Sequence, residues 1–517
     1  MDSVPAWSQA SRPTLGRDPL GIQATSVRIY RDLVPGITNV TNRLRYYSFY
    51  CWVVQNFEQT QHVDDEAKWR IFVRRSEALY ALTSEIQDPA RTAGLAGSDW
   101  ARAYLRDHHG GRIDLRNHTD KPGEPDEDQY LLARRGNFGQ FYVRSMTEIG
   151  MLQPSTGIPL VSRPFGQELA EAFSAAIGVA TERIIAKALV AGRLEWKDAE
   201  EIGKAVHPAL MNGNSREMRL LRDFLAAKSP DLLDGTARRS SAWLLLDLAQ
   251  RGVSLDSEKD IRRAFYYRLL PGDKPYQQAG DTIDRWRIYQ ANELCHIALE
   301  AWLNAMAGGI RERVEGVAPA QLVYDLIDGT FEPYDLARPW REWAQKVSEM
   351  SIDQEEQLTE TIHRALGNLK RAFDEGVLEA ATKLLAVLWV RWSSGQHGVR
   401  AGLAKYGGVN GRSLAGVVSS FDDCADVETR AALARVLQEH IVEAHLHIAA
   451  RKLAASDKFT YRFMLSDGLL SDGVLTNYGY TNPRLRNLAR FLRDAKYCDG
   501  NVVTAAGQKF LNENKPA

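Results

Sequence analysis

The sequence predicts a mainly α-helical protein, with a multi-helical core and small β-hairpins that belong to two winged-helix-like modules. Apolar residues recur at spacings of three and four in long stretches such as 281–305, which is the spacing of an amphipathic helix. Helix-start signals precede such stretches, as at Asp18-Pro19, where the acid caps a helix and the proline takes its first position. Short apolar runs between glycine-, proline- or Asp-Gly-containing turns predict the hairpins.

The order of these patterns divides the chain into five consecutive segments. They are an N-terminal helical bundle with an irregular loop (1–125), a winged-helix-like module (126–176), a helical core domain (177–400), a long-helix segment with a polar stripe (401–470) and a C-terminal winged-helix-like module (471–517). In the first segment, a helix from Thr41 to about Gln59 is apolar and aromatic on nearly all sides. That pattern favours a buried helix over a surface on which bases stack.

Composition limits the classes of function. The 517 residues carry a formal net charge of −1, so any binding to nucleic acid must come from local basic faces. The four cysteines are far apart in the chain and form no CxxC pair, which argues for a reducing cytosol and against a structural zinc site. The start of the chain shows no signal-peptide pattern, and no apolar run is long enough for a membrane span. We therefore expect a cytoplasmic protein without metal or cofactor.

The C-terminal module carries the clearest pattern for nucleic-acid binding. Asn482 and Pro483 predict the start of a helix whose leucines share one face, while three arginines at i, i+4 and i+7 form a separate basic stripe. These arginines are Arg486, Arg490 and Arg493. A two-strand wing around Asp499-Gly500 and a closing helix follow. With its ending Thr504-x-x-Gly507-x-x-Phe510, the segment resembles bacterial winged-helix domains, which bind either DNA or proteins.

The segment 126–176 shows a similar order. Residues 130–150 predict a helix that is interrupted near Gly136, residues 154–166 predict a short hairpin, and a helix resumes at Gln167. Helix, hairpin and helix in this order are typical of a winged helix, which places one helix in the major groove. Arg144 and Arg163 are the candidate phosphate contacts here.

A long helix over 426–453 carries a second set of polar residues. On a regular helix His440, Glu443, His447 and Arg451 fall on one stripe that adjoins apolar positions. A stripe of this kind is consistent with a general acid/base pair, with half of a metal site, or with structural polar residues that bond one another. All three interpretations stay open on the sequence.

The same helix contains Arg435-x4-His440, a spacing that resembles the motif of HEPN ribonucleases. The resemblance implies that Arg435 and His440 act together on RNA in an all-helical fold. Glu443 and His447 of the polar stripe are further candidate catalytic residues for this nuclease. On a straight helix the two motif residues point about 140° apart, so a shared site needs a partner helix.

Over much of its length the chain resembles bacterial proteins associated with mobile elements and anti-phage defence. The resemblance is carried by DPLGIQATSVRIYRDLVPGITNVTNRLRYYSFYCW and by HIVEAHLHIAARKL. The resemblance implies a component of a bacterial defence complex. The two winged-helix-like modules with Arg-rich faces predict that this component is a nucleic-acid-binding or adaptor protein that binds duplex DNA. The alternatives are the HEPN-like ribonuclease and a non-catalytic helical scaffold for partner proteins. Since no specific catalytic motif is present, a non-enzymatic role is favoured.

Overall fold

A computed structural model describes most of the chain. The described residues are 18–61, 65–108, 110–121, 129–131, 133–155, 157–278, 280–368, 376–393, 402–403, 406, 412–456 and 459–516. Residues 1–17 and the boundary predicted between 400 and 401 lie outside them. Helices account for 64% of the residues, and the strands form short two-stranded antiparallel sheets. The prediction of a mainly α-helical fold with small β-hairpins is confirmed.

The described α-helices fall into two halves of the chain. Those of the first half are α1 (Gln23–Leu33), α2 (Arg45–Gln61), α3 (Glu66–Gln87), α4 (Ser98–Asp107), α5 (Arg116–Thr119), α6 (Val143–Glu148), α7 (Phe165–Ile177), α8 (Val179–Ala191), α9 (Trp196–Val206), α10 (Arg216–Leu225), α11 (Thr236–Gln250) and α12 (Glu258–Arg262). Those of the second half are α13 (Asp281–Arg311), α14 (Pro319–Asp328), α15 (Trp340–Val347), α16 (Ile352–Leu366), α17 (Val377–Ser393), α18 (Leu414–Asp422), α19 (Thr429–Leu437), α20 (Ala444–Ser456), α21 (Leu485–Asp494) and α22 (Ala505–Glu513).

Other regular elements are short. Among the described residues, three π-helical turns lie at Phe138–Tyr142, Arg263–Tyr267 and Gln438–Glu443, and three 3-10 turns lie at Pro89–Arg91, Pro208–Leu210 and Pro333–Asp335. The strands are β1 (Arg112–Asp114), β2 (Arg193–Glu195), β3 (Leu269–Leu270), β4 (Lys274–Pro275), β5 (Met464–Ser466), β6 (Leu469–Ser471), β7 (Cys498–Asp499) and β8 (Val502–Val503). They pair as β1–β2, β3–β4, β5–β6 and β7–β8. In the last pair Cys498 lies opposite Val503, which forms a tight hairpin around Gly500.

The chain forms two compact units, each assembled from segments that are distant in sequence. The first unit comprises the described residues within Met1–Tyr30, Arg262–Leu269 and Asp284–Thr481. The second unit comprises those within Arg31–Ile261, Leu270–Ile283 and Asn482–Ala517. The C-terminal segment of α21, the β7–β8 hairpin and α22 therefore belongs to the same unit as α2 to α11.

In the second unit, α2 lies at the centre of an aromatic core. It packs along α7, and α3 packs along α9. Tyr46 is stacked on Tyr50 with ring centroids 5.2 Å apart, and Phe49 lies 4.5 Å from Tyr80. All four rings are buried, so the α2 aromatics form a core and are not available for stacking on bases.

Two buried ion pairs link the start of α2 to distant segments of the same unit. Arg43 pairs with Asp494 at 2.8 Å, and Arg45 pairs with Glu217 at 2.9 Å. Asp494 also accepts a hydrogen bond from the backbone N–H of Leu44. Because Asp494 is the last residue of α21, the Arg43–Asp494 pair holds α21 against the N-terminal end of α2.

In the first unit, most of α13 forms the central helix. Its side chains are buried along nearly the whole length from Ile288 to Ile310, and they include polar as well as apolar residues. Around it, α17 packs against α15, α16 and α18, and α14 packs against α19. Trp340 stacks on Phe421 with ring centroids 4.0 Å apart, which joins α15 to α18.

None of the described helices is long and apolar enough to cross a membrane.

Candidate functional site

The helix that carries the arginine stripe starts later than the sequence indicates. α21 begins at Leu485, after Arg484, which has a positive φ of 65°. Asn482 accepts a hydrogen bond from the N–H of Arg484 at 2.9 Å, so it stabilises the turn before the helix rather than capping the helix itself. One face of α21 is buried, as predicted, with Leu488 and Leu492 completely covered.

The three arginines of α21 lie on its solvent-facing side, where each has a partner in the second unit. Arg486 pairs with Glu258 at 2.7 Å, and its side chain is 60% exposed. Arg493 pairs with Asp256 at 2.8 Å. Arg490 donates to the amide oxygen of Asn42 at 3.0 Å, a neutral partner. Two of the three positive charges therefore face an acidic side chain.

The segment after α21 contains the predicted hairpin and closing helix. Thr504 caps α22 by accepting from the N–H of Gly507. The helix that packs against α21, β8 and α22 is α11, which comes from 236–250. Trp243 of α11 donates to the carbonyl of Leu511 at 2.8 Å. Residues 472–484 are all described and contain no helix or strand. The helix that packs against α21 is therefore α11, which is distant in sequence, and not a helix that directly precedes α21.

In the segment 126–176 the helix begins at the π-helical turn Phe138–Tyr142 and continues as α6. Its start is fixed by the buried Glu77, whose carboxylate accepts from the N–H groups of Asn137 and Phe138. Burial raises the pKa of Glu77 to about 7. The carboxyl group therefore serves as a helix cap in this unit.

A single antiparallel bridge, Leu152 to Val161, forms the predicted hairpin of this segment before α7 begins. Arg144 is 81% exposed and pairs with Glu148 at 2.9 Å. Arg163 is exposed in the turn that leads into α7. Both arginines are accessible, and their contact with phosphates stays a prediction.

The long helix of the first unit does not bring Arg435 and His440 together. His440 is 8% exposed, and its Nε2 lies 2.8 Å from the hydroxyl of Ser420. Burial lowers the pKa of His440. Arg435 is exposed. Within one chain these two side chains therefore share no site.

The other members of the polar stripe also separate from His440. Glu443, His447 and Arg451 are exposed. The helix passes through a π-helical turn at Gln438–Glu443, and its i→i+5 hydrogen bonds change the angle between residues before and after it. A regular helical wheel does not include this change, so the four residues do not share one face.

A buried histidine that the sequence did not single out lies beside this stripe. His445 is fully buried. Its Nε2 accepts from the backbone N–H of Arg462 at 2.8 Å, and its Nδ1 lies 3.3 Å from the carbonyl of Pro19. The ring is therefore neutral with the proton on Nδ1. Burial lowers the pKa of His445 to about 4.

Acid is expected to destabilise the first unit through His445. The unfolded chain takes up the proton near pH 6.5 and the folded chain near pH 4, so stability falls as pH decreases between these values. The expected loss is about 3 kcal/mol. The difference between the wild type and His445→Gln in urea unfolding, compared at pH 7.5 and at pH 4.5, isolates this loss from the contributions of other titrating groups. His445→Gln should be less sensitive to acid, whereas exposed His447→Gln should match the wild type. Equal acid sensitivity in all three proteins would contradict the assignment.

A buried polar cluster that sequence reasoning missed lies on α13. Glu293, His296 and Glu300 are all fully buried. His296 Nε2 lies 2.7 Å from Glu300 Oε1, and the side-chain amide of Gln23 lies 2.8 Å from the same ring nitrogen. Glu293 accepts from the N–H of Thr481 at 2.6 Å. The Glu-x-x-His-x-x-x-Glu spacing places the three residues on one helical face, and this signal was available in the sequence.

The chemistry of this cluster is that of a buried ion pair. Glu300 raises the pKa of His296 to about 9 against the effect of burial, and burial raises the pKa of Glu300 to about 7. Among the described residues, no group of three or more His, Cys, Asp and Glu side chains is arranged to hold a metal ion. Because His296 and Glu300 are fully buried and paired with each other, we assign the cluster to the stability of the first unit.

Comparison with known proteins gave no match to a protein-family model, a curated protein or a solved structure.

Proposed function

We propose that this chain is a non-catalytic nucleic-acid-binding or adaptor component of a bacterial complex of the anti-phage defence type, and that it contacts duplex DNA through α21. The observation that supports the proposal is the position of Arg486, Arg490 and Arg493. They lie on the outer side of a helix whose other side is buried, and a hairpin follows the helix directly. Arginines in such a row can bind successive phosphates of a duplex.

The acidic partners of Arg486 and Arg493 are compatible with this function. Glu258 is 35% exposed and Asp256 is 69% exposed, so both pairs lie in contact with solvent. An exposed ion pair contributes only about 0–1 kcal/mol. A phosphate can therefore replace either carboxylate at small cost. Until it does, the two carboxylates occupy the positions that phosphate oxygens would take.

We expect the triple variant Arg486→Ala/Arg490→Ala/Arg493→Ala to bind duplex DNA more weakly and with less dependence on salt. Each lost phosphate contact lowers the slope of log affinity against log salt by about 0.9. The opposite change, Glu258→Gln/Asp256→Asn, should strengthen binding up to about fivefold per carboxylate, because it removes the competing acid. Fluorescence anisotropy with a labelled duplex at two salt concentrations measures both effects.

The matched control is Arg183→Ala/Lys187→Ala/Lys204→Ala, which removes three exposed cations from α8 and α9 of the same unit. It should keep the wild-type slope. The proposal fails if the two triple variants behave alike, or if the carboxylate variants bind no better than the wild type. If no variant and no wild-type protein binds DNA, the scaffold hypothesis becomes the better interpretation of the hairpin-containing segments.

The ribonuclease hypothesis has less support in the geometry. It requires an arginine and a histidine at one site, and the chain places Arg435 at the surface and His440 in the interior. No observation on the described residues favours it over the binding function.

A further inference from the structure

A cleft of about 310 Å³ opens at the surface of the second unit. Three segments line it: the N-terminal half of α10 with the turn before it, the end of α10 with Lys228, and the face of α22 together with Tyr497. The arginines of α21 are not among its lining residues. The cleft is therefore a separate place on this unit, with its own set of charged groups.

The charged side chains of the cleft are mostly basic. Four cations line it, and they are Arg219, Arg222, Lys228 and Lys509. Two carboxylates, Asp223 and Glu513, accompany them. The lining thus carries two more positive than negative charges when all groups are ionised. An anion is the ligand that suits this balance.

Among the described residues, Arg222 has no carboxylate within ion-pair distance and is held in place by neutral groups. Its Nε donates to the carbonyl of Ala495 at 2.9 Å and its Nη1 donates to the carbonyl of Gly213 at 3.2 Å. Its guanidinium carbon lies 5.4 Å from the centre of the Tyr497 ring. Neutral carbonyl groups and an aromatic ring orient the guanidinium and leave its charge uncompensated. A guanidinium group whose orientation is fixed and whose charge is not neutralised is preorganised to bind an anion.

The other cations are more loosely held. Glu513 lies 3.1 Å from Lys228 and 3.7 Å from Lys509, so one carboxylate serves two ammonium groups. Arg219 is exposed, and its side chain makes no hydrogen bond or ion pair with the described residues. Lys509 is 76% exposed. Both side chains can therefore turn toward a ligand in the cleft.

We propose that this cleft binds a phosphate group, carried either by a free nucleotide-sized ligand or by the 5′ end of a nucleic-acid strand. Arginine forks match the geometry of phosphate oxygens and bind them with two parallel hydrogen bonds. A volume of about 310 Å³ exceeds that of inorganic phosphate and reaches the lower limit of ordinary ligand pockets. The cleft therefore has room for the phosphate and for part of the group to which it is attached.

The test uses the full chain and the variant Arg219→Ala/Lys509→Ala, which leaves the backbone contacts of Arg222 unchanged. Calorimetric titrations use inorganic phosphate, a nucleoside 5′-diphosphate, and one single-stranded oligonucleotide with either a 5′-phosphate or a 5′-hydroxyl end. We expect the variant to bind the phosphate-bearing probes at least about tenfold more weakly, since each charge-assisted hydrogen bond contributes on the order of one decade in affinity. The control is Arg183→Ala/Lys204→Ala, which should bind as the wild type does.

The probes distinguish the two sources of phosphate. Binding of the diphosphate or of inorganic phosphate that weakens in the variant supports a free ligand. A preference for the 5′-phosphorylated over the 5′-hydroxyl strand that the variant loses supports a strand end. Equal affinity of the two strands together with no binding of the small probes overturns the proposal, and so does binding that the variant leaves unchanged. The triple variant in α21 should retain this binding, so the proposals for α21 and for the cleft can fail independently.

Discussion

Replacement of Glu217 by alanine is expected to lower the free energy of unfolding of the second unit by about 3–5 kcal/mol, because it leaves a buried arginine without its counter-ion. The side chains of Arg45 and Glu217 are 2% and 0% exposed. Two guanidinium–carboxylate hydrogen bonds of 2.9 Å join them, and the hydroxyl of Ser48 donates to the same carboxylate at 2.6 Å. Carbonyl groups of Ala205 and His207 accept the remaining hydrogen bonds of Arg45.

Urea unfolding measures this loss. The matched control is Glu195→Ala, which removes the partner of Arg112 in a pair that is 58% and 65% exposed and should cost at most about 1 kcal/mol. The double variant Arg45→Met/Glu217→Met should recover much of the lost stability, since it removes both charges and keeps the volume. A loss in Glu217→Ala no larger than in the control would show that the charge of Arg45 finds another partner.

The elements of the fold could be predicted because their signals are local. The spacing of apolar residues gave the helices, and the aromatic pattern of α2 indicated a buried helix, as the rings of Tyr46 and Tyr50 show. The assembly of the units could not be predicted in the same way. Arg43 and Asp494 are 451 residues apart, and nothing near either residue indicates the other. Contacts of this kind decide which segments share a core.

The candidate sites show the same limit. The arginine face of α21 follows from its helical spacing, but Glu258 and Asp256, which bind two of its arginines, lie in a distant segment. For the histidine stripe the limit is geometric. A helical wheel assumes about 100° per residue, and the π-helical turn Gln438–Glu443 departs from that value between Arg435 and His447. A single irregular turn was enough to place His440 inside and the rest of the stripe outside.

Alkaline pH is expected to destabilise the first unit through His296 and Glu300. In the folded unit the pKa of His296 is about 9, whereas its ordinary value, which applies to the unfolded chain, is 6.5. The pKa of Glu300 is about 7 in the folded unit, and its ordinary value is 4.5. The folded unit therefore keeps both protons to higher pH than the unfolded chain does. The stabilisation by Glu300 is complete below pH 4.5 and is lost as pH rises through 7. The stabilisation by His296 is complete below pH 6.5 and is lost as pH rises through 9.

The variant Glu300→Gln tests the origin of this dependence, because it removes the carboxylate that keeps His296 protonated. Burial is the largest influence on His296 and is then opposed only by the weaker effects of Glu293 and Asp18, so the pKa of His296 should fall and its stabilisation of the unit should be lost. Hydrogen exchange in peptides from 289–305, corrected for the intrinsic rate at each pH, gives the local stability. Glu379→Gln removes a carboxylate that is 45% exposed in the same unit and should keep the wild-type profile. If Glu300→Gln shows the same dependence of local stability on pH as the wild type, the His296–Glu300 pair is not its origin, and other titrating groups cause the loss of stability at alkaline pH.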